Sequence, residues 1–354
     1  MKTYFKTYEE SRNEFLSATQ NRGFSIESIE IKKDLFIDIA IKRKNENDLL
    51  VLTTGLHGIE GFIGSKMIHV FLENFESILS SDICLIHSIN PYGMKNFIRN
   101  NENNVDLNRN FISNDKSFKD MKNDSYDKLF DFLNPKVKSK FYFNISFYYK
   151  LANLLIEYPQ KDIKEAILKG QYKHSSGLYF GGNNYQKSSL VMKDFFYNEF
   201  SKHKKIVSID LHSGFGKKYN MSIVNSKLEK TNRNNLVNGF GYKNIIELSK
   251  EDFYEIDGDF TDYQYRIIES MDGSKDFYGT CFEFGTVGNS LLAEIKSLKT
   301  MIISNAFKGD KNNSINKKML MDLYMPKEKK WIKKASEDFS LAINGIINYY
   351  HLNS

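Results

Sequence analysis

The chain has 354 residues, 41% of them hydrophobic and 27% charged, with a formal net charge of +6. This is the composition of an ordinary globular protein, long enough to bury a large core, so one elaborated α/β domain spanning 1–354 is expected. The basic residues are spread along the chain, which argues against nucleic-acid binding, and no apolar stretch approaches the length of a membrane span. The basic runs at 136–140 and 327–330 read as solvated faces. The two cysteines, Cys84 and Cys281, each sit in an apolar, strand-like run and read as small buried hydrophobes, not as a disulfide scaffold. The first ten residues show no uninterrupted apolar core of a secretory signal, so a cytoplasmic location is expected.

In chain order, residues 8–21 predict a helix. Asp34–Lys42 alternates, with Leu35, Ile37, Ile39 and Ile41 on one face, and predicts a strand. Leu49–Thr53 is a short apolar run and predicts a second, more buried strand. A loop at Thr54–Gly58 leads into a helix from about Glu60 to Leu79. Ile83–Ile89 predicts another buried strand, closed by the turn signal Asn90-Pro91-Tyr92-Gly93. Residues 112–200 are more polar and helix-rich, with a glycine-laden loop at 177–182, and read as an insertion that shapes a cleft. Ile206–Leu211, Met221–Asn225 and Thr280–Phe284 predict three more strands, and Glu328–His351 a closing helix. Strand, loop, helix and strand in succession imply crossover units and an α/β fold with a mixed, partly parallel central sheet flanked by helices.

The residues that carry chemistry fall just after predicted strands, where ligands collect in open α/β sheets. In Gly55-Leu56-His57-Gly58-Ile59-Glu60-Gly61, His57 and Glu60 lie three apart at a strand-to-helix junction. Imidazole nitrogen and carboxylate oxygen both suit Zn²⁺, at about 2.0–2.2 Å. His212 closes the strand Ile206–Leu211. It would complete a His₂Glu set and leave a fourth position for water, the pattern of a catalytic zinc site. Asp210 shares the strand face of His212 by period-two alternation, either supporting it or serving only as a strand-end hydrogen bonder. Arg99 precedes Val105-Asp106-Leu107-Asn108-Arg109-Asn110-Phe111. Two arginines and an asparagine near a metal suit a substrate carboxylate or a developing oxyanion, and equally suit a surface network with Asp106 or Glu102. Glu283 sits mid-strand in Cys281-Phe282-Glu283-Phe284. A buried carboxylate there needs a partner or a purpose, and a general base is one such purpose. The histidines at 69, 87, 174, 203 and 351 read as structural.

Taken together and in this order, the His57-x-x-Glu60 motif, the Asn90-Pro91-x-Gly93 turn, Arg99, Asp106-x-Asn108-Arg109-Asn110-Phe111, His212-Ser213 and Phe282-Glu283-Phe284 resemble the zinc carboxypeptidase superfamily. The likeness extends over nearly the whole chain and is closest to an uncharacterised, mainly bacterial branch. The resemblance implies a carboxypeptidase A-like fold and one zinc per chain on His57, Glu60 and His212. It implies that Asp106 braces His57, that Arg99 polarises the scissile carbonyl and that Glu283 is the base. It also implies that Asn108 and Arg109 grip the terminal carboxylate of a peptide or acyl amino acid. A family-type catalytic tyrosine has only Tyr263 and Tyr265 as candidates. The expected activity is removal of a C-terminal amino acid. An N-acyl amino-acid deacylase of the aspartoacylase-like type would use the same residues, and a non-catalytic binding module on this fold would keep them without turnover.

Overall fold

The computed structural model describes residues 5–44, 47–113, 115–136, 140–247, 256–271, 275–288, 290–307 and 314–353. The strands are β1 (Ser25–Lys32), β2 (Leu35–Lys42), β3 (Asp48–Thr54), β4 (Asp82–His87), β5 (Lys205–Ser213), β6 (Met221–Asn225), β7 (Ile245–Glu247) and β8 (Asp276–Phe284). They form one 8-stranded sheet in the order β1-β2-β4-β3-β5-β8-β6-β7. The middle of the sheet is parallel, through the pairs β4·β3, β3·β5 and β5·β8. Antiparallel pairs flank it at β1·β2, β2·β4 and β8·β6.

The helices are α1 (Tyr8–Gln20), α2 (Gly61–Asn74), α3 (Pro91–Asn96), α4 (Asp124–Lys128), α5 (Phe130–Leu133), α6 (Lys140–Glu157), α7 (Gln160–Leu168), α8 (Lys187–Ser201), α9 (Arg233–Phe240), α10 (Phe260–Ser270), α11 (Leu291–Ala306), α12 (Ser314–Tyr324) and α13 (Lys329–Tyr349). One sheet face packs Leu50, Leu52, Val207, Ile209 and Phe282 against α2, α9 and α13. The other packs Leu49, Val51, Ile86 and Ile206 against Met192, Phe196 and Phe200 of α8 and Phe260 and Ile267 of α10. A third cluster joins α3 to α7 with α11 and α12. Trp331, buried in α13, donates its indole N–H to the carbonyl of Gly285 at 2.7 Å, which ties that helix to the carboxyl end of β8.

The middle of β2 is buried on both sides, including Asp38 and Ala40, because the sheet is covered on both faces. Asp38 is tolerated there because Arg12 of α1 bonds both its oxygens, at 2.7 and 2.9 Å. Strand β1 and the three-residue β7 were not expected from the sequence; β1 is an edge strand whose Glu27 and Glu30 dilute the apolar alternation. The helix expected over 60–79 ends at Asn74 and is followed by a single 3₁₀ turn at Glu76–Ile78. Of the two basic runs, 327–330 is exposed, while most of 136–140 lies outside the described residues. Among the described residues no helix is long and apolar enough to cross a membrane.

Candidate metal centre

The site lies at the carboxyl ends of β3, β5 and β8. After Thr54 the chain turns through Leu56 and His57 into a 3₁₀ turn, Gly58–Glu60, that starts α2. Gly58 lets this loop touch α3: an added Cβ would stand 2.3 Å from the Gly93 Cα. The Asn90-Pro91 turn fixes the other wall. Asn90 accepts from the Gly93 N–H at 2.8 Å and donates through its amide to the Arg99 carbonyl at 2.9 Å. That carbonyl also accepts the Gly58 N–H at 3.2 Å, so the backbone of Arg99 is strapped beside His57.

His57, Glu60 and His212 are all buried, and one ligand atom from each lies within 4.8 Å of the others. The His57 Nδ1 is 3.1 Å from one Glu60 oxygen and the His212 Nδ1 is 2.9 Å from the other. The far nitrogens meet carboxylates: His57 Nε2 is 3.2 Å from Asp106 Oδ1, and His212 Nε2 is 2.5 Å from Asp210 Oδ2. A carboxylate only accepts, so a ring that offers Nδ1 to a cation keeps its proton on Nε2, against Asp106 or Asp210. Two imidazole nitrogens and a carboxylate thus converge on one point, an arrangement that suits a cation. The donor set and its carboxylate-backed histidines fit Zn²⁺.

The supporting groups are themselves held. Thr53 donates its hydroxyl to Asp210 at 2.6 Å from the paired position on β3. Arg99 donates through Nε to Asp106 at 3.1 Å and brings Nη1 to 3.6 Å from Glu60. The Ser213 N–H donates to Glu60 at 3.0 Å. Burial opposes charge on Glu60 and Asp106, yet His57 and His212 hold Glu60 well below the usual carboxylate range, and Arg99 and His57 do the same for Asp106. Burial also opposes charge on His212, but Asp210 and Glu60 pull it well above the usual imidazole range.

Glu283 stands beside His212 on the neighbouring strand, in direct register. Its Oε2 is buried and has no hydrogen-bond partner among the described residues. Burial pushes its carboxyl up to about 8; Glu60 reinforces the rise, while His212, Arg99 and the Phe215 backbone only partly offset it. The two cysteines are free thiols, Cys84 buried and Cys281 half-buried, and Cys281 lies close to His212 and Glu283.

The other expected residues are placed differently. Arg109 is buried and donates to the carbonyls of Asn108 (3.0 Å) and Leu168 (2.8 Å). Asn108 donates to Asp259 at 3.1 Å and accepts the Phe260 N–H at 2.8 Å. Tyr263 packs on Phe111 with ring centroids 5.8 Å apart, and the Tyr265 hydroxyl donates to Glu229 at 2.5 Å, so the Tyr265 phenol is spent inside the fold. Two tyrosines not singled out as site residues stand beside Arg99, whose charge bears on both phenols: Tyr179, in a left-handed conformation (φ 55°), and Tyr324. Tyr324 packs on Gly214 and accepts the Ser213 hydroxyl at its carbonyl, 2.9 Å away. Nothing local marks Tyr324, since only the fold brings α12 to β5. Of the remaining histidines, His87 meets Ser11 at 3.0 Å, His174 meets Asp127 at 2.6 Å and His203 meets Asp82 at 3.2 Å, all away from the site.

Residues 4–338 match the family described as "Protein of unknown function (DUF2817)". The chain belongs to that family. Among solved structures it is similar to bovine thrombin-activatable fibrinolysis inhibitor in complex with tick carboxypeptidase inhibitor, at 13% identity over 99% of each chain, with a TM-score of 0.56. It is also similar to carboxypeptidase A from Helicoverpa armigera, at 13% identity over 85% of this chain and 72% of that one, with a TM-score of 0.47. The first likeness establishes the carboxypeptidase-like fold expected from the sequence. No curated protein matches the chain.

Proposed function

We propose that this DUF2817 chain is a zinc-dependent hydrolase of amide bonds, with the metal on His57, Glu60 and His212. The observation that carries the reading is the convergence of two carboxylate-backed imidazoles and Glu60, with the unpartnered carboxylate oxygen of Glu283 beside them. When bound, zinc supplies Lewis acidity, which lowers the pKa of water and polarises a carbonyl. The residues of the chain do the rest. Asp106 and Asp210 hold the two rings in one orientation and one tautomer. Arg99, aimed by Asp106, offers a fixed donor to the carbonyl oxygen as negative charge develops on it. Glu283 takes a proton from the attacking water and passes it to the leaving nitrogen.

The same machinery serves peptide cleavage and removal of an acyl group from an amino acid. The carboxypeptidase reading adds a requirement for a free terminal carboxylate, which rests on Asn108 and Arg109. The test is a product screen by mass spectrometry: zinc-loaded protein against mixed N-acetyl peptides and N-acyl amino acids, with Glu283→Gln as control. Hydrolysis by wild type and its loss in the variant support the reading; hydrolysis by neither sinks it.

A further inference from the structure

Helix α6 carries two apolar faces. One, through Phe143, Phe147, Leu151 and Leu154, is buried in the third hydrophobic cluster. The other is open to solvent among the described residues: Ile145 is 63% exposed, Tyr149 71% and Ile156 86%, with Tyr148, Ala152 and Leu155 exposed beside them. A surface helix ordinarily turns charged residues outward, opposite the core. Between 145 and 157 the only charges are Lys150 and Glu157, and they cancel.

We infer that this outer face of α6 docks against α6 of a second copy of the chain, antiparallel about a two-fold axis. Ile145, Tyr149, Ala152 and Ile156 are spaced four, three and four apart, the alternation of a two-helix seam, so all four line one stripe. The stripe complements itself when reversed. Turned end for end about the point midway between Tyr149 and Ala152, it sets Ile145 against Ile156 and bulky Tyr149 against small Ala152, and the two-fold repeats each pair. A parallel pairing would stack the two Tyr149 rings and leave a gap at the two Ala152 methyls, against the close packing that interfaces share with interiors. The area is also suitable. These six side chains expose on the order of 600–700 Å², at the top of what a monomer leaves open and a little under the roughly 800 Å² per partner of a standard interface, so a dimer of about micromolar strength is expected.

Charge selects this occupant over a lipid surface. A helix seated on anionic lipid is rich in lysine or arginine on its polar side. Here the stripe is flanked by Ser146 and Asn153 on one side and by Tyr148 and Leu155 on the other. Lys299 of α11 is already engaged with this chain's own aromatic face, 4.4 Å from the centroid of the Tyr148 ring. Uncharged flanks set no like charges against each other across a two-fold axis. The dimer does not depend on the hydrolase reading.

The experiment is sedimentation velocity of the full chain over about 1–100 µM, a range that brackets a micromolar Kd, on wild type, Ile145→Lys, Ile156→Glu and an equimolar mixture of the two variants. Both positions are exposed, so the variants are expected to fold, and circular dichroism and Tm verify it. Wild type is expected to approach twice the 41.3 kDa of one chain as concentration rises. Each variant alone is expected to stay monomeric, its Kd raised by at least about 100-fold, because every substitution counts twice across the axis. The mixture is expected to regain dimers, since only there does an introduced lysine face an introduced glutamate. A wild type that stays monomeric throughout, a dimer that both variants leave intact, or a mixture that stays monomeric would each overturn the inference. A monomeric wild type that instead co-sediments with vesicles of phosphatidylcholine and phosphatidylserine, where both variants do not, would overturn it in favour of a lipid surface.

Discussion

At the scale of single residues, Glu283 is the most exposed to test. Its uncommitted oxygen and its register with His212 suit proton transfer and no structural pairing. Glu283→Gln keeps the shape and removes the base, so turnover is expected to fall by about 10²–10⁴-fold with metal content unchanged. Loss of metal in that variant would instead make Glu283 part of the binding site. The carboxylates behind the histidines act one step further out. Asp210→Ala leaves His212 in place but removes the acceptor that orders its ring, so zinc affinity is expected to drop by about 10–100-fold in a chelator competition. An unchanged affinity would mean that the 2.5 Å contact with Asp210 does not set the ligand's orientation.

At the scale of elements, the loop between β3 and α2 depends on a close backbone crossing. In Gly58→Ala the added methyl meets the backbone of Gly93, so α3 and the His57 loop must separate. A loss of about 1–3 kcal/mol in denaturant unfolding is expected, with weaker metal binding. The N-terminus of α10 offers a pH signature. Burial, reinforced by Asp259, pushes Asp262 up to about 6 from its ordinary 3.8, only partly offset by its bond to Ser226 and the charges of Lys227 and Arg266. The folded state thus binds this proton more tightly than the unfolded state. Its contribution is full below about pH 4 and is lost as pH rises through about 6. Asp262→Asn should therefore gain stability relative to wild type between pH 4 and 6, by at most about 3 kcal/mol. A difference that stays flat across that range would contradict the shift.

Elements were legible in the sequence where burial and period agreed. The core strands β3, β4 and β5 are apolar runs because both sheet faces are covered, and β2 and β8 carried enough of the pattern to be located. Edge strands hide because their outward residues are polar, as Glu27 and Glu30 are in β1. The residues around the histidines were legible because strand ends and short motifs put them in order along the chain. The partners of Arg109 were not, since the carbonyl of Leu168 has no side-chain signature and reaches the arginine only through the path of α7. Tyr324 was hidden for the same reason.

At the scale of the whole molecule, the sheet order places three parallel strands side by side with their carboxyl ends together. Each end delivers one part: β3 leads to His57 and Glu60, β5 ends at His212 and β8 carries Glu283. The third hydrophobic cluster packs Ile59 and Phe62, next to Glu60, against the flanking helices, and His57, Glu60 and His212 are buried, so fixed charges act strongly there. This junction is expected to bind zinc. Metal analysis by mass spectrometry on wild type and His57→Ala, both supplied with zinc and both checked for folding by circular dichroism, tests it most directly. About one zinc per wild-type chain, absent from a folded His57→Ala, is the expected result. A wild-type chain that takes up no metal would contradict the claim and leave a carboxypeptidase-like fold with a role other than metal-assisted hydrolysis.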